Sequence, residues 1–252
     1  MTQHIRIKRT TRIALLTAIF VFLTQIPAAS AQQEYVGRYD LYTGFSDLYT
    51  PAINKINQVG FHLQAGINNN RWLSTGFDYS VQSGNTSLIP SIATPALQQE
   101  IGLEEEELES LGLLPAGYSL NIPLSATTQT FTAGSQLNYR HFSKMTLFIR
   151  PSLAAFRLSA TPHPNPQDPF AIGVADMLVQ HAPLVDWTGA YGVGGGVEFA
   201  LMKHIGVRAQ LDAAWNHPFN DILGKGGWSY RYSVGPSFHF GRNIATRVRK
   251  VN

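Results

Sequence analysis

The stretch WSYRYSVGPSFHF, residues 228–240, alternates along its whole length. Its even positions are Trp228, Tyr230, Tyr232, Val234, Pro236, Phe238 and Phe240. Its odd positions are Ser229, Arg231, Ser233, Gly235, Ser237 and His239. Successive side chains of a β-strand point to opposite faces, so a period of two specifies a strand with one apolar and one polar face. The same rule holds upstream. Residues 205–215 set Ile205, Val207, Ala209, Leu211, Ala213 and Trp215 against Gly206, Arg208, Gln210, Asp212 and Ala214.

Segments 187–199, 129–141, 71–81, 59–67 and 35–45 alternate in the same way. An eighth segment, 145–158, is less regular. Met145, Leu147 and Ile149 precede Pro151 on one parity, whereas Ala154, Phe156 and Leu158 follow it on the other. A proline inside a strand favours a bulge, and a bulge near Pro151 would swap the faces in this way. Eight strands result. Tight links around residues 68–70, 142–144 and 201–203 alternate with longer connections near 46–58, 82–128, 159–186 and 216–227. An even number of strands with alternating short turns and long loops describes an all-β, antiparallel up-and-down transmembrane barrel. Its short turns and both termini face the periplasm.

A soluble barrel would turn its apolar face inward. Here the apolar face is almost free of charge, and aromatics gather at its segment ends: Tyr35, Phe45, Tyr139, Trp187, Phe199, Trp215, Trp228 and Phe240. That is the aromatic girdle of a membrane barrel, with lipid on the apolar side. The polar face then lines a narrow lumen. It carries Arg38, Arg140, Arg150, Arg208 and Arg231 against Asp40, Asp78, Glu198 and Asp212. Charges withdrawn from water need partners, so these nine are expected to form an Arg–carboxylate network that plugs the lumen. Gly192, Gly194 and Gly196 fall on the same face, making room for crossing arginines or leaving a small cavity. The run Gly-Val-Gly-Gly-Gly lacks the GxGxxG spacing and the following helix of a nucleotide loop.

In the last strand Ser233, Gly235, Phe238 and Phe240 fit the polar-x-Gly-x-x-aromatic-x-aromatic signal of barrel assembly. With this signal and the eight alternating segments, residues 33–241 resemble the small eight-stranded OmpA-like outer-membrane β-barrel proteins. The resemblance implies residence in a Gram-negative outer membrane, contact with lipid and lipopolysaccharide, and insertion by the barrel-assembly (BAM) machinery. Two departures stand out: Gly241–Asn252 follow the signal, and no peptidoglycan-binding domain follows the barrel.

Within the excursion 82–128, residues 95–114 combine Leu97, Ile101, Leu108 and Leu111 with Glu100, Glu104, Glu105, Glu106, Glu107 and Glu109. This reads as a short amphipathic, acidic helix between strands 3 and 4, most simply a solvated cap over the barrel mouth. Its acids also suit divalent cations bridging lipopolysaccharide. Residues 161–169 read as a stiff, exposed proline-rich loop. Loops of this size are where surface recognition resides, but nothing in them names an extracellular ligand.

An enzymatic reading, lipid modification, requires a serine, a histidine and an acid within hydrogen-bonding reach. The candidates are His62, His239 beside Ser237, and His163, His181 and His217 in external loops. They form no compact set at matching heights on adjoining strands. No His/acid pair has metal-ligand spacing, and no cofactor is implied. The absence of cysteine excludes disulfides, thiolate zinc sites and a cysteine nucleophile.

The first 31 residues read as a secretory signal peptide. Arg6, Lys8, Arg9 and Arg12 precede an apolar run from Ile13 to Ile26. Ala29 and Ala31 then supply the cleavage motif, with the cut after Ala31. The run is shorter than the ~20 residues of a membrane-spanning helix. The formal charge of +3 suggests a nucleic-acid partner, but its distribution removes that reading. Four basic residues lie in the signal segment, and Arg242, Arg247, Arg249 and Lys250 lie in a basic periplasmic tail, 242–252. The barrel between them is acidic. The reading is a structural or surface-interacting barrel, non-enzymatic, with a narrow channel or hydrophobic-solute conduit as the first alternative and a lipid-modifying enzyme as the second.

Overall fold

The computed structural model describes residues 33, 35–181 and 185–245. The signal segment with Ala29 and Ala31 lies outside the described residues, as does the tail beyond residue 245. Eight strands form a closed barrel: β1 (Tyr39–Thr50), β2 (Ile56–Asn68), β3 (Leu73–Leu88), β4 (Ile122–Tyr139), β5 (Met145–Pro162), β6 (Val185–Ala200), β7 (Ile205–Asn216) and β8 (Gly227–Phe240). Each pairs antiparallel with its sequence neighbours. β8 closes on β1 from Tyr39↔Phe240 to Tyr49↔Tyr230, which leaves no open sheet edge.

Faces follow the alternation. Val59, Phe61, Leu63, Phe77, Leu137, Ile149, Leu153, Leu211 and Val234 point outward and are exposed, whereas His62, Gln64, Asp78, Ser80, Arg150, Arg208 and Arg231 are buried inside. Among outward strand positions only Asp47 and Arg157 carry charge, both toward the long-loop end. Tyr191 stacks on Trp215, and Tyr39 stacks on Phe240, near the two rims. Phe45, expected at a strand end, lies midway along β1, because that strand starts at Tyr39 and runs on to Thr50.

The bulge expected near Pro151 is absent. β5 keeps a single register against β4 (Leu124↔Pro162 through Tyr139↔Leu147) and against β6 (Met145↔Phe199 through Ser159↔Val185). Phe156 and Leu158 therefore point into the barrel, not toward lipid. Two connections are also shorter than expected. Only residues 51–55 join β1 to β2, and β3 and β4 continue their ladder to Leu88↔Ile122.

β3 to β6 are 16–18 residues long, against 12–14 for the other four strands, so one wall rises above the rest at the long-loop end. Two helices pack against its inner side. The first, α1 (Pro95–Ser110), starts with Pro95 after Thr94, whose Oγ1 accepts from the Leu97 N–H at 3.4 Å. It buries Ile101 against Leu88, Leu120 and Ile122. The second, α2 (Pro169–His181), stands where the sequence predicts only a connecting loop. Asp168 caps it by accepting from the Ala171 N–H at 3.0 Å, and Pro169 fills the first helical position. Phe170, Ala171, Val174 and Ala175 join the same core.

Candidate functional site

The lumen is layered. In the middle layer, Asp78 on β3 and Asp212 on β7 face Arg150 on β5 and Arg231 on β8. Arg231 Nη2 donates to Asp78 at 3.0 Å and to Asp212 at 2.8 Å. Arg150 Nη2 donates to the same two carboxylates, at 2.5 and 3.3 Å. His62 Nε2 also donates to Asp78 at 3.0 Å, and its Nδ1 lies 3.1 Å from Ser233 Oγ. Alternate residues of β-strands share a face, and closure of the barrel sets these inward positions opposite one another. Two cations facing two anions satisfy the pairing that buried charge demands.

A second layer sits toward the short-turn end. Arg208 donates from Nε and Nη2 to Glu198 Oε2, at 2.8 and 2.6 Å, with its guanidinium between the rings of Tyr42 and Phe148. His239 places its two ring nitrogens 2.6 Å from Asp40 and 2.8 Å from Glu198. Asn68 donates to Asp40 at 2.6 Å.

Of the nine lumen residues singled out in the sequence, seven lie on the inward face of the strands and make ion pairs, whereas Arg38 and Arg140 stand just outside β1 and β4 at the short-turn rim. Those two instead donate to the carbonyls of Asn68 and Arg71 in the short turn, and Arg140 also reaches the Asn68 side chain. Sequence reasoning missed His62 and His239 as members of the two layers. Both occupy inward parity positions, which was the available signal.

Gly194 has a definite task. A Cβ there would collide with the Asp212 carboxylate, so the inward glycine makes room for an acid and not for an arginine. Gly196 similarly lies against the Phe148 ring. Gly194→Ala is expected to push Asp212 off its two arginines and cost about 1–3 kcal/mol, the usual penalty for overpacking. Urea unfolding in lipid vesicles would read it as a lower midpoint.

Below the rising wall, near Asp212 and Arg231, the lumen narrows to a space of about 20 Å³, room for about one water. Toward the short turns it opens as a cup of about 1210 Å³ bordered by Arg140, Lys144, Lys203 and His239. Above the middle layer, inward positions turn apolar: Leu48, Ile56, Leu88, Ile122, Ala126, Phe156 and Leu158 line a chamber of about 90 Å³.

No protein-family model and no curated protein matches the chain. Among solved structures, Neisserial surface protein A (NspA) is similar at a TM-score of 0.52 with 11% identity, over 82% of this chain and 100% of that one. The outer-membrane protein OprG of Pseudomonas aeruginosa matches at 0.44 with 8% identity, over 84% and 99%. Ail of Yersinia pestis, in complex with the heparin analogue sucrose octasulfate, matches at 0.41 with 11% identity, over 81% and 99%. The chain has the fold of the small eight-stranded outer-membrane β-barrels.

The barrel carries a Ser–His–acid contact that sequence spacing does not reveal: Ser233, His62 and Asp78 are joined by hydrogen bonds. The ring nitrogens are exchanged relative to a hydrolytic triad, where Nε2 faces the serine. His62 and Asp78 have no exposed surface, Ser233 retains 5%, and Asp78 is already held by two arginines. The arrangement therefore packs the barrel rather than meeting a substrate. Of the loop histidines, His163 Nε2 lies 3.0 Å from Ser125 Oγ, and His217 Nε2 donates to the Leu223 carbonyl.

At the mouth of the barrel, α1 keeps most of its glutamates outward, but Glu109 accepts from the Gly117 and Tyr118 N–H groups at 2.9 and 3.1 Å. Tyr118 Oη in turn donates to Asp168 at 2.6 Å, which ties the first excursion to the cap of α2. Burial and that carboxylate push the Tyr118 hydroxyl pKa up, so it keeps its proton. Thr86 Oγ1, in the chamber wall, is buried without a partner among the described residues. Thr86→Val is expected to stabilise the barrel by about 1 kcal/mol, because it removes an unsatisfied hydroxyl at nearly constant shape. A raised urea midpoint would show it.

Proposed function

We propose that the protein is an integral outer-membrane barrel with a structural and surface-interacting role, closed to solute flow by its ion-paired lumen and without catalytic activity. The observation that carries this reading is the middle layer. Four strands send Asp78, Arg150, Asp212 and Arg231 to one level, where they touch. Drawing any one of them aside to open a path would leave the other three with unbalanced buried charge.

Delivery follows the same reading. A signal peptide is cleaved after Ala31, within the Ala29-x-Ala31 motif, and the assembly machinery engages Ser233, Gly235, Phe238 and Phe240. Gly235 has a packing reason to be glycine as well, since a Cβ there would meet the Thr43 carbonyl of β1 where the barrel closes. Lipopolysaccharide and an external ligand would meet the raised wall and the acidic side of α1. Residues 242–245 return toward the start of β1, where Ile244 N–H donates to the Val36 carbonyl at 2.9 Å. These four residues begin the basic tail, 242–252, which this reading assigns to the periplasm.

Planar-bilayer recording tests the closed lumen. The wild-type barrel is expected to give no steady nanosiemens openings, and the Arg150→Ala/Arg231→Ala double variant is expected to conduct. Steady openings of the wild type would refute the plug. A conduit for hydrophobic solutes is the second reading. The apolar chamber favours it, and the ion layer beneath the chamber opposes through-flow.

A further inference from the structure

Inward positions of a membrane barrel are ordinarily polar because they face water or one another's charges. Here the upper third of the lumen departs from that rule. Leu48, Ile56, Ala126, Phe156 and Leu158 project inward from β1, β2, β4 and β5, and Phe219, Ile222 and Leu223 cover them from the loop between β7 and β8. Ala175 and Leu178 of α2 complete the roof. The floor is a neutral hydrogen-bonded layer, Thr50, Gln58, Thr128, Asn216 and Ser229, and the ion-paired layer lies beneath it.

The walls do not meet. They leave the chamber of about 90 Å³ beside the helix–strand core. Cavities lined in this way stay dry, and one of about 150 Å³ is known to take up benzene or xenon. The smaller volume here suits one aromatic ring or a few methylene groups, not an entire acyl chain. An outward cleft of about 290 Å³ lies between α1 and α2, bordered by Leu97, Glu100 and Met177. It shares Leu178 and Ile222 with the chamber, so only those two side chains need move for the spaces to join.

We propose that this chamber is a binding site for small uncharged apolar molecules, single-ring aromatics or short alkyl groups, admitted from outside through the cleft between α1 and α2. The ion layer lies beneath its floor, so the site holds its ligand rather than passing it on, a retention that rests on the closed lumen. Binding itself does not depend on whether the lumen conducts.

Methyl-labelled protein in phospholipid nanodiscs, titrated with benzene, tests the proposal. The methyl resonances of Ile56, Leu88, Leu158 and Leu178 are expected to shift and saturate. Those of Leu63, Ile149 and Leu211 on the lipid face are expected to drift without saturating as benzene partitions into the bilayer. Ala126→Leu and Ala160→Leu fill the chamber from β4 and β5, and each is expected to weaken the saturable response at least tenfold. Two variants are used so that poor folding of one leaves the other to decide. No saturable shift in the wild-type chamber methyls would overturn the proposal. So would an undiminished response in a folded chamber-filling variant.

Discussion

Replacing Asp78 with alanine is expected to destabilise the barrel by about 3–5 kcal/mol, the cost of removing one partner from a buried ion cluster. Asp78 Oδ2 alone receives His62, Arg150 and Arg231, and the residue has no exposed surface. In its absence, two guanidinium groups share Asp212, and the His62 Nε2–H loses its acceptor. Asp78→Asn, which keeps the shape without the charge, should fall between wild type and alanine. Residues that share a network are not additive, so Asp78→Ala combined with Arg150→Ala should cost less than the two changes summed. Urea unfolding in vesicles, followed by the gel-mobility shift of folded barrels, measures the wild type and the four variants. A loss below 1 kcal/mol for Asp78→Ala would show that water already solvates this layer.

Leu211→Arg is the second large effect, at about 2–4 kcal/mol for a cation facing lipid near the bilayer midplane. Leu211 lies halfway along β7, is 45% exposed, and pairs across the sheet with Gly195 and Tyr232. Its sequence neighbour Asp212 sits in the ion layer, so a shift of one residue reverses the chemistry of the site. Leu211→Arg and Asp212→Leu should therefore both impair folding, the first by exposing a charge to lipid and the second by stripping counter-charge from Arg150 and Arg231. Unchanged stability of Leu211→Arg would contradict the assignment of the outer face.

Much of this was legible because a strand's two faces are written in its parity. Trp228–Phe240 already separates Arg231 and Ser233 from Tyr232 and Val234, and the barrel keeps that separation. Pro151 shows where parity misleads. Phe156 and Leu158 have the composition of a lipid-facing set, and their change of parity resembles a bulge. They face inward in an unbroken register because part of the lumen is itself apolar. An apolar side chain has the same sequence signature whether lipid or a dry chamber receives it. α2 was legible in principle from Asp168-Pro169, a helix cap followed by a first-turn proline, but the prolines around it read as a loop.

By itself, the sequence determined the alternation, the even strand number and the inventory of inward charge, because these depend on the local geometry of a pleated strand. Which charges meet was decided only by tertiary structure. Asp78 and Arg231 are 153 positions apart, and only closure of β8 on β1 and the register of every ladder between them bring the two within 3.0 Å. The same closure carries His239 to Asp40, gathers Ser233, His62 and Asp78, and leaves the chamber under the helices. Contacts of that kind depend on the global register of the sheet, which no single strand encodes.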